Sequence, residues 1–196
     1  MNGYSAGIKA TLRRQLRERL QNLSNEERSQ ASAQIRQRLA EQPVWRTAQS
    51  ILFYAPTDSE PDLWPLALEA LIMGRQVVLP RHSPDTDSYV TCLVQEPSRG
   101  LQLGRFGILE PAAHCPVFNV KQLDLALVPG IGFTLAGGRL GRGKGYFDRL
   151  LAEVPGFKCG VAFDCQVTAE IPLEPHDVRL NCILTPTRWH VCLSRF

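Results

Sequence analysis

The feature that most constrains the fold is a set of short apolar runs that alternate with helical patterns. Residues 123–128 form a nearly continuous apolar run, which is typical of a strand buried on both faces. Further strands are predicted at residues 50–55, 76–80, 89–95, 158–163 and 181–185. Strands that alternate with helices in this way indicate a three-layer α/β fold, with a mainly parallel, Rossmann-like open sheet flanked by helices. Right-handed connections then bring the loops that follow the strands to one edge, where ligands bind in open sheets.

Four segments have helical patterns: residues 12–20, 24–42, 62–73 and 145–154. The first has a leucine at every fourth position, which is the spacing of one helix face. The second begins with Ser24 and Glu27, the pattern of a capping box, and we expect Pro43 to end it. In the third, Asp62 is placed to cap the helix. Residues 97–107 are predicted to be a loop.

The length of 196 residues and an apolar fraction of 44% predict one α/β domain over residues 1–196. Residues 1–40 hold eight Lys or Arg against three acidic residues, so the basic excess lies in an N-terminal helical segment, about residues 8–41. Within it, Lys9 and Arg13 share one side of a helix, which taken alone indicates a solvated basic face. The net charge of +3 gives no support to nucleic acid as a partner. We expect small-molecule partners only, and a monomer.

The six cysteines are scattered and include no C-x-x-C pair, which favours reduced thiols over a zinc site or a disulfide framework. The sequence contains no run of roughly 18 apolar residues that could span a membrane. Its beginning lacks the order of charged and apolar residues found in a secretory signal, and its glutamates argue against a transit peptide. These observations predict a cytoplasmic protein without a membrane partner.

Residues 135–151, LAGGRLGRGKGYFDRLL, indicate an anion site because they combine five glycines with three arginines and a lysine. The segment follows the predicted strand at 123–128 and leads into a predicted helix. Glycine lets the backbone approach a phosphate, and a helix start offers free N–H groups at the positive end of its dipole. From Gly138 to Lys144 the spacing is G-x-x-x-x-G-K, as in a P-loop. However, Gly145 stands where a P-loop has the Ser or Thr that reaches Mg²⁺.

Four further polar residues have an ordinary structural interpretation, and two of them, Asp148 and Glu60, also have a functional one. Asp148 is either an oxygen ligand for Mg²⁺ or the partner of Lys144 at i,i+4 on the helix. Glu60 follows the first predicted strand, which places it near the ligand-binding edge, although a loop glutamate usually faces solvent. His176 and Asp177 lie in a proline-rich loop, where both are ordinary turn residues when taken alone.

Five motifs in order give the chain a resemblance to a known family. They are KATLRRQLRERL, LVPGIGF, GGRLGRGKGYFDRLL, KCGVAFDCQV and IPLEPHD, and FGILEP at residues 106–111 is a further match. From about residue 9 to about residue 185 they resemble the 5-formyltetrahydrofolate cyclo-ligases, also called 5,10-methenyltetrahydrofolate synthetases. Two positions depart from the family pattern, since Thr134 and Asn181 stand where an acidic residue is usual.

The resemblance implies an ATP-driven ligase that closes the ring of 5-formyltetrahydrofolate to 5,10-methenyltetrahydrofolate, with Mg²⁺ as cofactor and with release of ADP and phosphate. It implies that the formyl oxygen attacks the γ-phosphate of ATP and forms a phosphorylated imine, after which N10 closes the ring. Catalysis of this kind depends on positioning the reactants and neutralising phosphate charge. The cations and N–H groups of the glycine segment suit that role.

Roles for individual residues also follow from the resemblance. Lys144, Arg142 and Glu60 are expected to be catalytic, with Glu60 at the formyl end of the folate, and Asp148 and Asp177 are expected to hold Mg²⁺. The expected ATP-binding residues are Lys9, Arg13, Arg139, Leu140, Gly141, Arg142, Gly143, Lys144, Gly145, Tyr146 and Phe147. The expected folate-binding residues are Glu60, Arg142, Gly143, Lys144, Gly145 and Tyr146.

Three other functions fit parts of the sequence. A nucleotide-regulated binding module would bind ATP through the same segment without turnover. An RNA-binding protein would use the basic N-terminal helices with strong salt dependence, but few aromatic residues lie there to stack on bases. A P-loop NTPase is the nearest enzymatic alternative. Gly145, and the lack of an apolar strand that ends in a Walker-B-type aspartate, argue against it.

Overall fold

The structure, a computed structural model, describes residues 2–104 and 107–192. Its helices are α1 (Asn2–Gln21), α2 (Asn25–Ala40), α3 (Pro43–Thr47), α4 (Trp64–Ile72), α5 (Pro97–Gly100) and α6 (Tyr146–Glu153). Its strands are β1 (Ser50–Leu52), β2 (Gln76–Ser83), β3 (Ser88–Leu93), β4 (Leu101–Leu103), β5 (Leu109–Pro111), β6 (Leu125–Val128), β7 (Gly132–Phe133), β8 (Arg139–Leu140), β9 (Phe157–Val161), β10 (Cys182–Leu184) and β11 (Trp189–Val191).

Seven strands form one sheet in the order β11-β10-β9-β6-β1-β2-β3. The five inner strands are parallel, whereas β3 and β11 pair antiparallel at the two edges. The predicted α/β fold with a mainly parallel sheet is therefore confirmed. Strands β4 and β5 form a small hairpin, and so do β7 and β8.

Helices cover both faces of the sheet because successive strand residues point to opposite sides. Leu127 of β6 packs in the cluster that contains Ile35 and Leu39 of α2, whereas its neighbour Ala126 packs in the cluster that contains Leu151 of α6. All five residues are fully buried. This double coverage explains why the central strands are continuously apolar.

The predicted helices are present, with corrections at their ends. The capping box of α2 is confirmed, since the amide of Glu27 donates to Ser24 Oγ and the amide of Ser24 donates to a Glu27 carboxylate oxygen. The prediction that Pro43 ends this segment was wrong, because α2 ends at Ala40 and Pro43 begins α3. Proline suits a first helical position, where its missing N–H would have no partner in the helix. Helix α1 begins at Asn2, earlier than the expected residue 8.

The predicted loop at residues 97–107 was wrong for most of its length, because it contains α5 and β4; residues 105 and 106 lie outside the described part. The sequence also gave no signal for β5 or β11. These elements are three or four residues long. They depend on tertiary contacts, such as the hydrogen bond that the amide of His82 in β2 donates to Glu110 of β5. Helical and strand periodicity is not measurable over so few residues.

The glycine-rich segment differs most from its prediction, because the hairpin β7–β8 separates β6 from the glycines that precede α6. Gly138 lies in the turn of this hairpin, where its amide donates to Thr134 Oγ1 at 2.9 Å. Arg139 and Leu140 belong to β8. The P-loop interpretation of the spacing from Gly138 was therefore wrong. The Thr134 departure has a structural role, since its hydroxyl closes the turn.

The order of the strands leaves a crevice above β1 and β6. After β1 the chain crosses to β2 on one side, whereas after β6 it crosses to β9 on the other side. The loops that follow two such neighbouring strands diverge, which creates the usual ligand-binding crevice of open α/β sheets. Among the described residues, none of the helices has the length and apolar character needed to cross a membrane. All six cysteines are free thiols, as predicted.

Candidate active site

A cavity of about 640 Å³ opens at this crevice. Every residue that the sequence analysis expected at a site lines it: Lys9, Arg13, Glu60, residues 139–148 and Asp177. The lining also includes residues that the sequence analysis missed: Tyr54, Thr57, Tyr89, residues 107–110 and Glu174. His176, which the sequence analysis named but gave no role, lines the cavity too. Glu110 lies within FGILEP, so this motif was the available signal for it. Nothing in the local sequence distinguishes Tyr89 from any other strand residue.

Residues 141–145 form a glycine loop that crosses the cavity and ends at α6. Gly143 has φ +103°, and Gly145, the residue before the helix, has φ +66°. Both values lie in the left-handed region, where a Cβ would be strained, so glycine is required at these two turns. The loop leaves Arg142 and Lys144 exposed and brings the backbone at the start of α6 to the cavity, where a helix presents N–H groups. It is an arrangement suited to phosphate oxygens.

Helix α1 supplies two cations to one side of the cavity. The guanidinium of Arg13 donates from Nε to the carbonyl oxygen of Gly141 at 2.9 Å, which joins the helix to the glycine loop. Burial and the neighbouring Arg17 lower the pKa of Arg13, against an opposing effect of Asp177. Lys9 Nζ lies 2.9 Å from Asp177 Oδ2 and 3.4 Å from a Glu174 carboxylate oxygen.

Two hydrogen-bond donors, Lys9 and the amide of Glu174, fix the Asp177 carboxylate. Its Oδ2 accepts from the amide of Glu174 at 2.8 Å as well as from Lys9. Burial raises the pKa of Asp177, but these hydrogen bonds outweigh it and the pKa lies below its ordinary value. One ligand atom from each of Glu174, His176 and Asp177 lies within 4.8 Å of the others, which is close enough to share a cation. The two carboxylates offer hard oxygen ligands, and the imidazole offers a nitrogen.

Asp148 forms an ion pair with Arg139, with 2.8 Å between Oδ1 and a guanidinium nitrogen. The alternative that paired Asp148 with Lys144 was wrong. The Arg139 side chain is only 4% exposed, donates weakly to the carbonyl oxygen of Pro129 at 3.3 Å, and lies over the ring of Phe147. Its Nε is buried without a hydrogen-bond partner in the described part of the chain. Arg139 therefore lies at the wall of the cavity and holds α6 to β8, rather than extending into solvent.

Another part of the cavity lining is acidic and aromatic. Glu60 Oε2 accepts from the amide and the hydroxyl of Thr57, both at 3.0 Å, and Arg142 donates to Glu60 Oε1 at 2.9 Å. The rings of Tyr89 and Tyr146 meet edge to face at 5.4 Å between centroids. Burial raises the pKa of Tyr89, followed in effect by the carboxylate of Glu110. This side therefore combines flat apolar surface with hydrogen-bond acceptors.

The Tyr146 ring is held by the turn between β2 and β3. Its hydroxyl donates to Asp87 Oδ1 at 2.9 Å, and His82 Nε2 lies 3.1 Å from the same oxygen. Asp87 has φ 42°, the one positive value among the non-glycine residues described. Arg149 lies over the Tyr146 ring and donates to the Asp87 carbonyl oxygen. The aromatic wall is thus fixed to the edge of the sheet.

Asn181, the second departure from the family pattern, does not line the cavity. It precedes β10, at the opposite edge of the sheet, where its Oδ1 accepts from the amide of Lys158 at 2.7 Å. This departure therefore does not change the charge of the cavity lining. Its side chain joins the beginnings of β9 and β10.

Comparisons with known proteins decide the family. A profile of the 5-formyltetrahydrofolate cyclo-ligase family matches residues 6–186. The chain belongs to this family. A 5-formyltetrahydrofolate cyclo-ligase of Mycolicibacterium smegmatis is 34% identical over 152 residues, 75% of this chain and 78% of the relative. One from Escherichia coli K12 is 29% identical over 177 residues, 88% of this chain and 97% of the relative.

A solved structure shares the fold as well. The NMR structure of Aquifex aeolicus 5,10-methenyltetrahydrofolate synthetase superposes with a TM-score of 0.85 at 34% identity, covering 94% of this chain and 93% of that one. The resemblance stated from the motifs is therefore confirmed, and so is the prediction that the chain is an enzyme of the ligase class.

Proposed function

We propose that this chain catalyses the ATP- and Mg²⁺-dependent cyclisation of 5-formyltetrahydrofolate to 5,10-methenyltetrahydrofolate, with release of ADP and phosphate. The observation that carries the proposal is that two groups of contacts with different chemistry line one cavity, a basic half and an acidic, aromatic half. In the first, Lys9 contacts Asp177 and Arg13 contacts the glycine loop. In the second, the carboxylates of Glu60 and Glu110 act on Tyr89. A triphosphate suits the first half, and a flat, hydrogen-bonding ring system suits the second.

The need for ATP follows from the chemistry of the formyl group, because a formamide oxygen is a poor leaving group and phosphate is a good one. The formyl oxygen attacks the γ-phosphorus of ATP, the bond to the bridging oxygen breaks, and ADP leaves. The N5–carbon bond gains double-bond character. N10 then adds to that carbon and loses its proton, and the carbon–oxygen bond breaks to release phosphate.

The glycine loop is placed to assist the transfer between the two halves. Arg142 is bonded to Glu60 on the folate side, yet it belongs to the same loop as Lys144 and the N–H groups before α6. Positive charge and N–H donors stabilise the negative charge that spreads over the transferred phosphoryl group. We therefore assign Lys144 and Arg142 to phosphate stabilisation. Glu60 is assigned to orienting the formyl end, because Thr57 and Arg142 fix its carboxylate.

The donor set of the basic half fits Mg²⁺ bound to a nucleotide. Such an ion usually keeps several waters and takes one or two protein carboxylates together with phosphate oxygens. Asp177 and Asp148 would hold it, since both line the cavity, and the ion pair with Arg139 uses only Oδ1 of Asp148. When bound, the ion supplies neutralisation of phosphate charge. Lys9, next to Asp177, adds a further cation to the same half.

The decisive experiment is to follow the near-ultraviolet absorbance of the methenyl product with purified protein, 5-formyltetrahydrofolate, Mg²⁺ and ATP. We expect the chromophore to form only when ATP is present, with one phosphate released per product. ATP binding without product would refute the proposal and favour a nucleotide-regulated binding module. Replacing ATP with a non-hydrolysable analogue is the matched control. A single domain, a monomeric state, a cytoplasmic location and the absence of nucleic-acid and membrane partners stay predictions.

A further inference from the structure

Glu110 is a carboxylate in the cavity that the proposed chemistry does not use. It is 7% exposed, and its Oε2 accepts from the amide of His82 at 3.2 Å. Within residues 2–104 and 107–192 it forms no ion pair with a lysine or an arginine. Burying a carboxylate is unfavourable unless hydrogen bonds or a charge compensate for it. A group with so few partners is therefore ready to accept hydrogen bonds from a ligand.

The position of Glu110 is fixed by its surroundings. Its side chain crosses directly over Gly104 in the β4–β5 hairpin, where a Cβ would lie 2.3 Å from the Glu110 carboxyl carbon. The bond from His82 ties the same carboxylate to β2. Position 104 therefore leaves room for the carboxylate because it has no side chain. Since Glu110 lines the cavity, this arrangement directs a preorganised acceptor at whatever occupies that half.

Glu110 lies in the part of the cavity lining that contains Tyr89 and Glu60. Its charge acts on the hydroxyl of Tyr89, and so does the charge of Glu60, which places Tyr89 in the fields of both carboxylates. The two carboxylates differ in how many hydrogen bonds they accept from the protein. Among the residues that the structure describes, Glu60 accepts three hydrogen bonds from Thr57 and Arg142, whereas Glu110 accepts one, from a backbone amide.

We propose that Glu110 determines folate specificity by accepting a pair of hydrogen bonds from the pterin ring of the substrate. This proposal rests on the proposed function. The 2-amino group and the N3–H of the pterin lie side by side on one edge, and two adjacent N–H donors match the two oxygens of a carboxylate. The ring faces would then contact Tyr89, and the formyl group would lie towards Glu60.

The test compares binding of 5-formyltetrahydrofolate and of its analogue without the 2-amino group, by calorimetry, in the wild type and in Glu110→Gln. The glutamine keeps the shape of the side chain but loses the charge and one acceptor. The wild type should prefer the natural folate by about 10- to 100-fold, because a hydrogen bond to a charged group contributes that much. In Glu110→Gln the preference should fall to a few-fold, while affinity for ATP stays within two-fold of the wild type.

Glu96→Gln is the matched control, because Glu96 is exposed and pairs with Arg99 away from the cavity. It should retain the wild-type preference. Gly104→Ala is an independent variant, since its Cβ would displace the Glu110 carboxylate without changing its charge, and it should also reduce the preference. An unchanged preference in Glu110→Gln overturns the assignment. If the wild type fails to bind 5-formyltetrahydrofolate at all, the proposed function itself fails, which is a different result.

Discussion

Removing the Asp148 side chain should destabilise the protein because the buried guanidinium of Arg139 loses its ion-pair partner. Asp148→Ala leaves the Arg139 guanidinium at 4% exposure with one long hydrogen bond among the described residues, to the Pro129 carbonyl oxygen at 3.3 Å. Breaking one side of a buried ion pair costs about 3–5 kcal/mol, because a charge stays buried without compensation. For a chain of this length, 1 kcal/mol corresponds to roughly 2–4 °C in melting temperature. We therefore expect a decrease of about 6–20 °C.

The assay is thermal unfolding in the absence of nucleotide, folate and Mg²⁺, so that lost ligand binding does not contribute. The double variant Arg139→Met with Asp148→Ala should recover part of the loss, because it removes both charges. Glu96→Ala is the control, since an exposed pair contributes at most about 1 kcal/mol. A loss below about 1 kcal/mol for Asp148→Ala, or a double variant no more stable than Asp148→Ala, would refute this reasoning.

Three other changes separate function from stability. Lys144→Ala should reduce kcat/KM by about 100- to 1,000-fold, since it removes a phosphate-stabilising cation, and should leave the melting temperature unchanged; Lys121→Ala, an exposed lysine outside the cavity, should change neither quantity. Asp177→Asn should raise the Mg²⁺ concentration needed for half-maximal activity, whereas an unchanged value would remove Asp177 from the metal site. Asp124→Asn should flatten the fall of stability in acid, measured by urea unfolding between about pH 2 and pH 5; an acid limb as steep as that of the wild type would contradict this.

The sign of the last prediction follows from the pKa of Asp124. Burial raises it, but hydrogen bonds from Ser50 and Gln49 outweigh burial, so the pKa in the folded protein lies below its ordinary value. A carboxyl group with a depressed pKa stabilises the fold fully above its unfolded-state pKa of about 4. This contribution is lost as the pH falls through the folded pKa. Asparagine does not titrate and so removes that part of the pH dependence.

Much of the site could be predicted because its residues are close in sequence or match a family motif. The spacing of Lys9 and Arg13 gave their common side of α1, and the glycine segment gave the loop before α6. The contacts that the individual side chains make could not be predicted from sequence spacing. The buried position of Arg139 and its ion pair with Asp148 depend on the β7–β8 hairpin, which the sequence pattern did not indicate. Two-residue strands have no measurable periodicity.

The sequence by itself determined the alternation of strands and helices, the capping box of α2 and the family, because these depend on local preferences and on ordered motifs. Only the tertiary structure decided which distant groups meet. The bond from Lys9 to Asp177 joins residues 168 positions apart, and the Glu110 carboxylate faces the cavity because β5 packs beside β2. Such contacts form only when the whole chain folds and buries its apolar surface. The free energy of that burial is shared among many residues that are distant in sequence, so no short window of sequence predicts the contacts.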